Sequence, residues 1–152
     1  MIDLLIVDDH MIIRRGLTQI FAGDPRIGRV AEAADGPAAL RELRAAPVRV
    51  VLLDIALGDR DGLDVLRSIR AEFPGVAVVM LSVYPETQFA VRAIRAGAAA
   101  YLNKGGSPET LFAAITKVAA GGVYVGPVLA ELLARNVRAD EARPPHETLS
   151  NR

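Results

Sequence analysis

Four charged side chains at the ends of apolar runs could together bind and transfer a phosphoryl group. Asp8 and Asp9 close one run, Asp54 closes a second, and Lys104 follows a third. Because Mg²⁺ prefers oxygen ligands, three carboxylates would suit a divalent cation. A carboxylate can also attack a phosphoryl group to form an acyl phosphate, and a lysine ammonium can contact the phosphoryl oxygens. These residue types therefore predict a site where a cation and a transferable phosphate meet.

Each residue of this predicted site can be given a role. Asp54 is expected to accept the phosphoryl group and, together with Asp9, to bind Mg²⁺ directly, whereas Asp8 would bind it directly or through water. The backbone carbonyl of Ala56, just past the end of the same apolar run, is a further expected ligand of the metal. Ser82 ends another apolar run, and its hydroxyl can turn to hydrogen-bond the phosphate once it is present.

Taken singly, these residues have more ordinary explanations. An Asp after a strand, such as Asp54, is more often a turn former or a helix N-cap than a nucleophile. Ser82 alone would be a helix cap, and Tyr101 alone would be a core residue. His10 has no evident partner and His146 falls in a charged segment, so both histidines are interpreted as structural or solvent-facing. The ordinary explanations weaken because four predicted strand ends deliver matching chemistry.

The charged residues follow strands in a regular alternation of strands and helices. Continuous runs of β-branched and aliphatic residues, which are typical of buried parallel strands, recur at short intervals. The strands are predicted near Asp3–Val7, Arg29–Ala34, Val48–Asp54, Val76–Leu81 and Ala100–Asn103. Amphipathic helices are predicted at Met11–Ala22, Pro37–Ala45, Leu63–Glu72, Glu86–Ala96 and Pro108–Ala120. These βα units predict a three-layer α/β fold, a parallel sheet with helices on both faces and a ligand site beyond the carboxyl ends of its strands.

Glycine and proline positions agree with these boundaries. Pro37 and Pro108 stand where helices are predicted to begin, a position at which the missing N–H of proline costs no hydrogen bond. Gly97 and Gly121 stand where helices are predicted to end, and there the backbone often takes a left-handed conformation. The helical assignments thus rest on these residues as well as on periodicity.

The pattern changes after Gly122. Residues 123–125 are predicted to be extended, and a helix is predicted from residue 127 to about 138. A charged stretch with two adjacent prolines is then typical of a linker. Ser150 resembles a helix N-cap with almost no helix after it, so we expect the chain to be a fragment.

Composition limits the function classes. With 152 residues, 51% of them hydrophobic, the chain can bury one substantial core. A formal net charge of zero argues against nucleic-acid binding over the whole domain, and the absence of cysteine excludes disulfides and thiolate metal sites. The sequence has neither a signal peptide nor an apolar run of the roughly 20 residues that a membrane helix needs. A soluble cytoplasmic protein without a membrane partner is therefore expected.

With these residues placed, the chain closely resembles the receiver domain of bacterial two-component response regulators, specifically of the NarL/FixJ type. The resemblance covers about Ile2 to Val125, and its motif set is highly specific. The matching stretches are Ile6-Val7-Asp8-Asp9-His10, Arg14-Arg15-Gly16-Leu17, Leu53-Asp54-Ile55, Asp61-Gly62-Leu63, Met80-Leu81-Ser82, Ala96-Gly97-Ala98, Tyr101-Leu102-Asn103-Lys104 and Ala119-Ala120-Gly121-Gly122. The tail Leu149-Ser150-Asn151-Arg152 resembles the opening of a LuxR-type helix-turn-helix domain.

The resemblance implies a flavodoxin-like (βα)5 receiver fold whose five-stranded parallel sheet has the order 2-1-3-4-5. The implied domains are a receiver at residues 1–122, a linker at 123–148 with a helix at about 127–138, and the start of a truncated DNA-binding domain at 149–152. The resemblance further implies that a sensor histidine kinase phosphorylates Asp54 in a Mg²⁺-dependent reaction, and that Ser82 and Tyr101 form a switch pair. The expected outcomes are a phosphorylation-dependent homodimer and, in the intact protein, binding to promoter DNA and control of transcription.

The chain departs from the family pattern at several positions near the site. The family often has Met-Pro three and four residues after the phosphorylated Asp, whereas this chain has Leu57 and Gly58, so a looser loop is expected. Many receivers have Pro after the Lys, usually with a cis bond, whereas Gly105 follows here, as is usual for the subfamily. In relatives, the side chains at the positions of Ala56 and Tyr84 influence attack of water on the acyl phosphate.

Other function classes fit parts of the pattern less well. A phosphohydrolase with an Asp nucleophile would place a second Asp two residues on as general acid, but that position is Ala56. An interaction module that signals without phosphate would not need the acidic pair, Asp54, Ser82 and Lys104 together. Dinucleotide binding fits the sequence still less well, because no Gly-x-Gly-x-x-Gly follows the first strand. The receiver is therefore preferred, and it is expected to promote only its own phosphotransfer and autodephosphorylation rather than to act as an enzyme.

Overall fold

Strands and helices alternate along the chain. The computed structural model describes residues 1–57, 60–83 and 88–141. The main sheet contains β1 Ile2–Val7, β2 Ile27–Ala33, β3 Val50–Asp54, β4 Ala77–Ser82 and β5 Ala100–Asn103. The helices are α1 Met11–Ala22, α2 Gly36–Ala45, α3 Gly62–Glu72, α4 Gln88–Arg95, α5 Pro108–Ala119 and α6 Pro127–Glu141. A short antiparallel ribbon, Ala56–Leu57 with Arg60–Asp61, lies between β3 and α3.

The strands form one parallel sheet in the order β2-β1-β3-β4-β5. In the pairing of β1 with β3, Leu4 lies opposite Val50 and Val7 lies opposite Leu53. The acidic residues that follow Val7 and Leu53 therefore reach the same edge of the sheet. This topology confirms the flavodoxin-like receiver fold and the strand order that were predicted.

Each face of the sheet has its own apolar core, because successive side chains of a strand point to opposite faces. On one face, Leu5 and Val7 belong to a buried cluster with residues of α2, α3 and α4. On the other face, Leu4 and Ile6 belong to a cluster with residues of α1 and α5. β3 is buried along its whole length. Coverage of both faces is the physical reason that continuous apolar runs, rather than alternating ones, predicted the strands.

The predicted boundaries agree closely with the structure. α1 has the predicted bounds, and α2, α3 and α5 each differ from prediction by one residue at one end. β2 begins earlier than predicted, at Ile27, because this residue is 5% exposed and pairs with Ile2 of β1. The helix predicted at Glu86–Ala96 is present over Gln88–Arg95, and its first two predicted residues lie outside the described residues.

Side-chain caps and glycines define the helix ends. Asp35, Asp61 and Ser107 accept hydrogen bonds of 2.8, 2.9 and 3.2 Å from N–H groups in the first turns of α2, α3 and α5. Gly97 and Gly121 have φ angles of 108° and 95°, in the left-handed region that favours glycine. The role predicted for both glycines at helix ends is confirmed. Among the described residues, no helix combines the length and apolar character that spanning a bilayer requires.

The segment after α5 packs back onto the domain. Tyr124 forms an isolated parallel bridge with the first residue of β5, which agrees with the extended conformation predicted for residues 123–125. α6 ends at Glu141 rather than at about residue 138, and it packs against α4 with Leu129 fully buried. The remainder of the predicted linker and the predicted tail, residues 142–152, lie outside the described residues.

Candidate functional site

The predicted acidic and basic residues meet at the carboxyl edge of the sheet. Nζ of Lys104 lies 2.7 Å from Oδ2 of Asp8 and 3.1 Å from Oδ2 of Asp54. Asp8 follows β1, Asp54 ends β3 and Lys104 follows β5, so three separate strands deliver the cluster. The structure thus brings together side chains that the sequence places far apart.

Burial changes the electrostatics of this cluster. Asp8 and Asp54 are 2% and 5% exposed. Burial raises the pKa of Asp54 above its ordinary value, and hydrogen bonds from the N–H of Ala56 and from Lys104 offset this effect only in part. Burial acts on Asp8 as well, yet hydrogen bonds from Lys104 and His10 outweigh it and lower the pKa of Asp8. Burial opposes the charge of Lys104, but its bonds to both carboxylates raise its pKa, so the ammonium stays charged.

Asp9 and His10 occupy the more exposed side of the cluster. Nδ1 of His10 lies 3.0 Å from Oδ1 of Asp8 and 3.0 Å from Oδ1 of Asp9. The His10 side chain is 65% exposed, which agrees with the prediction that it faces solvent. The prediction that it has no partner is wrong. The reason is a tight turn after β1, in which the N–H of His10 donates to Oδ1 of Asp8 at 2.8 Å. His146 lies outside the described residues.

The cluster has the composition and spacing of a cation site. One ligand atom from each member lies within 4.8 Å of the others, the members being Asp8, Asp9, His10 and Asp54. Three carboxylates, two of them buried, against one ammonium leave an excess of negative charge, and a divalent cation that prefers oxygen would neutralise it. The residues present therefore fit Mg²⁺. The N–H of Ala56 donates to Oδ1 of Asp54 at 3.1 Å, and the ligand role of the Ala56 carbonyl stays a prediction.

The two residues predicted to form a switch pair are both buried. Ser82 is 0% exposed, and its carbonyl accepts a hydrogen bond of 2.8 Å from the N–H of Lys104. Tyr101 is 1% exposed and belongs to the cluster that also contains Val91 of α4 and Leu129 of α6. The ordinary explanation of Tyr101 as a core residue thus agrees with its burial. The switch role of the pair stays a prediction.

In the connection from Asp54 to α3, the backbone of Asp54 and Ile55 lies close to Gly62. The N–H of Gly62 donates to the carbonyl of Ile55 at 2.8 Å. A Cβ on Gly62 would lie 2.5 Å from the carbonyl oxygen of Asp54 and 2.6 Å from that of Ile55. Glycine is therefore needed where α3 begins. The loop expected to be looser at Gly58, and the position of Tyr84, lie outside the described residues.

Gly62→Ala is expected to destabilise the protein by about 1–3 kcal/mol, because the added methyl group collides with backbone atoms that cannot rotate away. Gly16→Ala is the matched control: Gly16 lies in α1, and a Cβ there would have no heavy atom within 4 Å. It should stabilise the protein by about 0.5–1 kcal/mol through helix propensity. Urea unfolding followed by circular dichroism compares the two, and equal effects would contradict the close approach at Gly62.

One side chain that the strand-end pattern did not single out also reaches the site. Nη1 of Arg14 donates to the carbonyl of Asp8 at 2.6 Å, and Nε donates to Oε1 of Glu32 at 3.1 Å. Arg14 stands in one of the stretches that carry the family resemblance, but no role followed from it. A signal was present, because a helix that begins at Met11 turns its fourth residue back toward the preceding strand end.

Comparisons with known proteins find similarity over most of the chain. The response regulator receiver domain family matches residues 4–116, which include every site residue predicted above. Response regulator UvrY of Escherichia coli strain K12 is 33% identical over 153 residues, covering 100% of this chain and 70% of UvrY. Transcriptional regulatory protein UhpA of the same strain is 38% identical over 134 residues, covering 88% of this chain and 67% of UhpA. The crystal structure of a LuxR-family two-component response regulator from Aurantimonas sp. SI85-9A1 is 30% identical with a TM-score of 0.80, covering 88% of this chain and 96% of that chain.

Proposed function

The chain belongs to the receiver-domain family of two-component response regulators, and from this premise we propose that Asp54 accepts a phosphoryl group from a sensor histidine kinase. Response regulators of this type act with histidine kinases and control transcription. The observation that carries the proposal is the buried carboxylate of Asp54, with Nζ of Lys104 at 3.1 Å. This pair offers a nucleophile beside a cation that can stabilise charge on the phosphoryl oxygens.

Each residue has a task in the proposed transfer. A carboxylate oxygen of Asp54 attacks the phosphorus, the phosphorus–nitrogen bond of the donor phosphohistidine breaks, and its electron pair stays on the kinase imidazole. The N–H of Ala56 donates to Oδ1 of Asp54 at 3.1 Å and thereby orients the carboxylate. Lys104 already lies against this carboxylate, so it needs only a small movement to contact an oxygen of the transferred group.

Mg²⁺ is the proposed cofactor, with Asp8, Asp9, Asp54 and the carbonyl of Ala56 as its ligands. When bound, it supplies positive charge that offsets repulsion between the carboxylates and the phosphoryl oxygens. The Asp9 side chain is 34% exposed, so a cation entering from solvent would meet this carboxylate first. Asp8 is engaged by Lys104 at 2.7 Å, which suits either direct binding or binding through water.

The proposed catalysis is directed at the protein itself. Receiver domains in general are not enzymes that turn over external substrates, and we propose only phosphotransfer to Asp54 and its later autodephosphorylation. Ala56 supports the restriction to the protein's own Asp54, because it stands where a phosphohydrolase with an Asp nucleophile carries its general acid. A methyl side chain at that position has no proton to donate to a leaving alcohol.

The proposed switch acts through Ser82 and Tyr101. The phosphoryl group adds charge and acceptor oxygens, which attract the Ser82 hydroxyl and the Lys104 ammonium. Movement of Ser82 would free space for Tyr101, which shares a buried cluster with Val91 of α4 and Leu129 of α6. A change in Tyr101 would therefore reach both helices, and α6 continues toward the C-terminal residues. A bistable face of this kind can favour dimerisation or release an attached domain.

The proposed organisation follows from the sequence boundaries. We assign residues 1–122 to the receiver, 123–148 to a linker that contains α6, and 149–152 to the start of a LuxR-type helix-turn-helix domain. The chain covers 70% of UvrY and 67% of UhpA, which are longer proteins. In the intact protein, phosphorylation would promote homodimerisation and binding to promoter DNA in the cytoplasm.

A small-molecule phosphodonor and mass spectrometry test the proposal. Incubation with acetyl phosphate and Mg²⁺ should add one phosphoryl group to a fraction of the molecules, and chelation with EDTA should prevent the addition. Peptide mapping should locate the group on the peptide that contains Asp54, and hydroxylamine should remove it, because an acyl phosphate is open to nucleophilic attack. An adduct that resists hydroxylamine, forms without Mg²⁺ or maps to another residue would contradict the proposal.

A further inference from the structure

The peptide group that follows Asp8 is held by a side chain outside the acidic cluster. The N–H of Asp8 donates to the carbonyl of Ala33 in β2 at 3.1 Å, which continues the pairing of β1 with β2. The carbonyl of Asp8 accepts a hydrogen bond of 2.6 Å from Nη1 of Arg14 in α1. The Arg14 side chain is only 15% exposed, so this contact is largely shielded from water. Both sides of the Asp8 backbone are therefore fixed.

Arg14 is itself fixed by a partner on the neighbouring strand. Its Nε donates to Oε1 of Glu32 at 3.1 Å, and its own carbonyl accepts a hydrogen bond of 2.9 Å from the hydroxyl of Thr18. A planar guanidinium can make two such bonds from different nitrogens in one rigid geometry. The carbonyl of Asp8 shares its peptide plane with the nitrogen of Asp9. Its orientation therefore sets the direction in which Asp9 leaves the end of β1.

We propose that Arg14 is a positioning residue for cation binding, which fixes the peptide between Asp8 and Asp9 so that both carboxylates face the cation. Arg14 does not touch the cation; it acts through the backbone. The inference rests on the proposed function, because the cation is the one that phosphotransfer to Asp54 would require. In the wild type, the carboxylate of Glu32 neutralises the guanidinium beside a site that must attract positive charge.

The two physical effects of Arg14 on cation affinity have opposite signs. As a positive charge near the site, Arg14 would weaken cation binding, so its removal would strengthen binding. As a positioning group, Arg14 strengthens cation binding, so its removal would weaken binding. Removal of Arg14 would also leave Glu32 without its ion pair at 3.1 Å, so the change in charge can only favour tighter cation binding. The sign of the change therefore identifies the role.

The affinity of the full 152-residue chain for MgCl2, measured by isothermal titration without a phosphodonor, tests the inference. Arg14→Met should bind Mg²⁺ about 10–100-fold more weakly, the usual effect of removing a group that orients metal ligands. Arg14→Lys should recover part of this loss, because an ammonium can donate to the Asp8 carbonyl but lacks the fork that also reaches Glu32. Saturating Mg²⁺ should restore phosphorylation of both variants, as a loss of cation binding alone requires.

Arg15→Met is the matched control for the loss of one positive charge. The Arg15 side chain is 70% exposed, and its Nε is 3.9 Å from Oε2 of Glu32, so Mg²⁺ affinity should change little. Urea unfolding of each variant shows whether it is folded in the titration. A folded Arg14→Met variant with unchanged or tighter Mg²⁺ binding would overturn the inference. If that variant does not fold, Arg14→Lys decides: weaker binding than the wild type supports the role, and equal binding overturns it.

Failure of the inference differs from failure of the proposed function. A wild-type chain that binds no Mg²⁺, or that gains no phosphoryl group on Asp54, would refute the proposed function and the inference with it. A wild-type chain that binds Mg²⁺ and is phosphorylated, together with an Arg14→Met variant of equal affinity, would refute only the role of Arg14.

Discussion

An Asp54→Asn variant is expected to take up no phosphoryl group and, at neutral pH without Mg²⁺, to be more stable than the wild type. The first effect follows because an amide cannot replace the carboxylate as nucleophile. The second follows because burial raises the pKa of Asp54 above its ordinary value of 3.8. Lys104 is not left without an anion in the variant, because it keeps Asp8 at 2.7 Å. Loss of function and gain of stability would thus come from one substitution.

The sign of the pH dependence follows from the direction of this shift. A carboxyl group whose pKa is raised in the folded state binds its proton more tightly there than in the unfolded chain. Its contribution to stability is greatest below the ordinary pKa and is lost as the pH rises through the folded pKa. At neutral pH the ionised Asp54 therefore costs stability. We expect Asp54→Asn to raise the free energy of unfolding by about 0.5–2 kcal/mol, and this gain should shrink as the pH is lowered toward the ordinary pKa.

Urea unfolding in EDTA at several pH values measures the stability effect, and the acetyl phosphate assay measures the loss of phosphorylation. Asp64→Asn is the matched control, because Asp64 lies in α3 with a side chain that is 70% exposed and bonded to Arg67. It should leave phosphorylation intact and change stability little, as exposed ion pairs contribute about 0–1 kcal/mol. A phosphorylated Asp54→Asn variant, or one less stable than the wild type at neutral pH, would contradict the account of Asp54 as a buried nucleophile whose charge costs stability.

The fold could be predicted from the sequence because its signals are local. β3 is buried on both faces, so its residues form an unbroken apolar run that needs no knowledge of its neighbours. α3 could be placed to within one residue, since its apolar positions Leu63, Leu66 and Ile69 recur at the helical period and are all buried. The start of β2 at Ile27 was missed, because its burial depends on pairing with Ile2 in another segment. Errors thus occur where a boundary is decided by a distant partner.

Some contacts of the candidate site could likewise be predicted from the sequence, and others could not. Strand order brings the ends of β1 and β3 together, so the meeting of Asp8 with Asp54 could be expected from strand ends alone. The contact of Arg14 with Glu32 could not, because it depends on the distance between a helix and a strand 18 residues apart. The need for Gly62 was likewise hidden, since it arises from the carbonyl of Asp54 lying 2.5 Å from the site of a Cβ. Charge and spacing predict which groups meet, whereas close packing determines how they are held.

Replacing Lys104 with Met is expected to slow phosphorylation by acetyl phosphate while it strengthens Mg²⁺ binding. The rate should fall about 10²–10³-fold, the usual effect of removing one group that stabilises charge developing in the transition state. Mg²⁺ affinity should rise, because Nζ of Lys104 lies 2.7 and 3.1 Å from carboxylates that would bind the cation and competes with it for them. A merely structural lysine would not change the two quantities in opposite directions.

The stability of the Lys104→Met variant is a third quantity whose direction of change can be predicted, independently of the phosphorylation rate and the Mg²⁺ affinity. The pKa of Asp8 is lowered because hydrogen bonds from Lys104 and His10 outweigh the effect of burial. The ionised Asp8 therefore stabilises the fold at pH values above its ordinary pKa, and this contribution is lost as the pH falls. Without the lysine, Asp8 and Asp54 share a buried site with no ammonium, so stability at neutral pH should fall and Mg²⁺ should restore it.

The matched control is Lys117→Met, which replaces the only other lysine of the chain. Lys117 lies on the exposed face of α5, so this variant should keep the phosphorylation rate, the Mg²⁺ affinity and the stability close to wild type. Weaker Mg²⁺ binding by Lys104→Met than by Lys117→Met would show that the ammonium assembles the carboxylates instead of competing for them, and the role given to Lys104 would have to be abandoned.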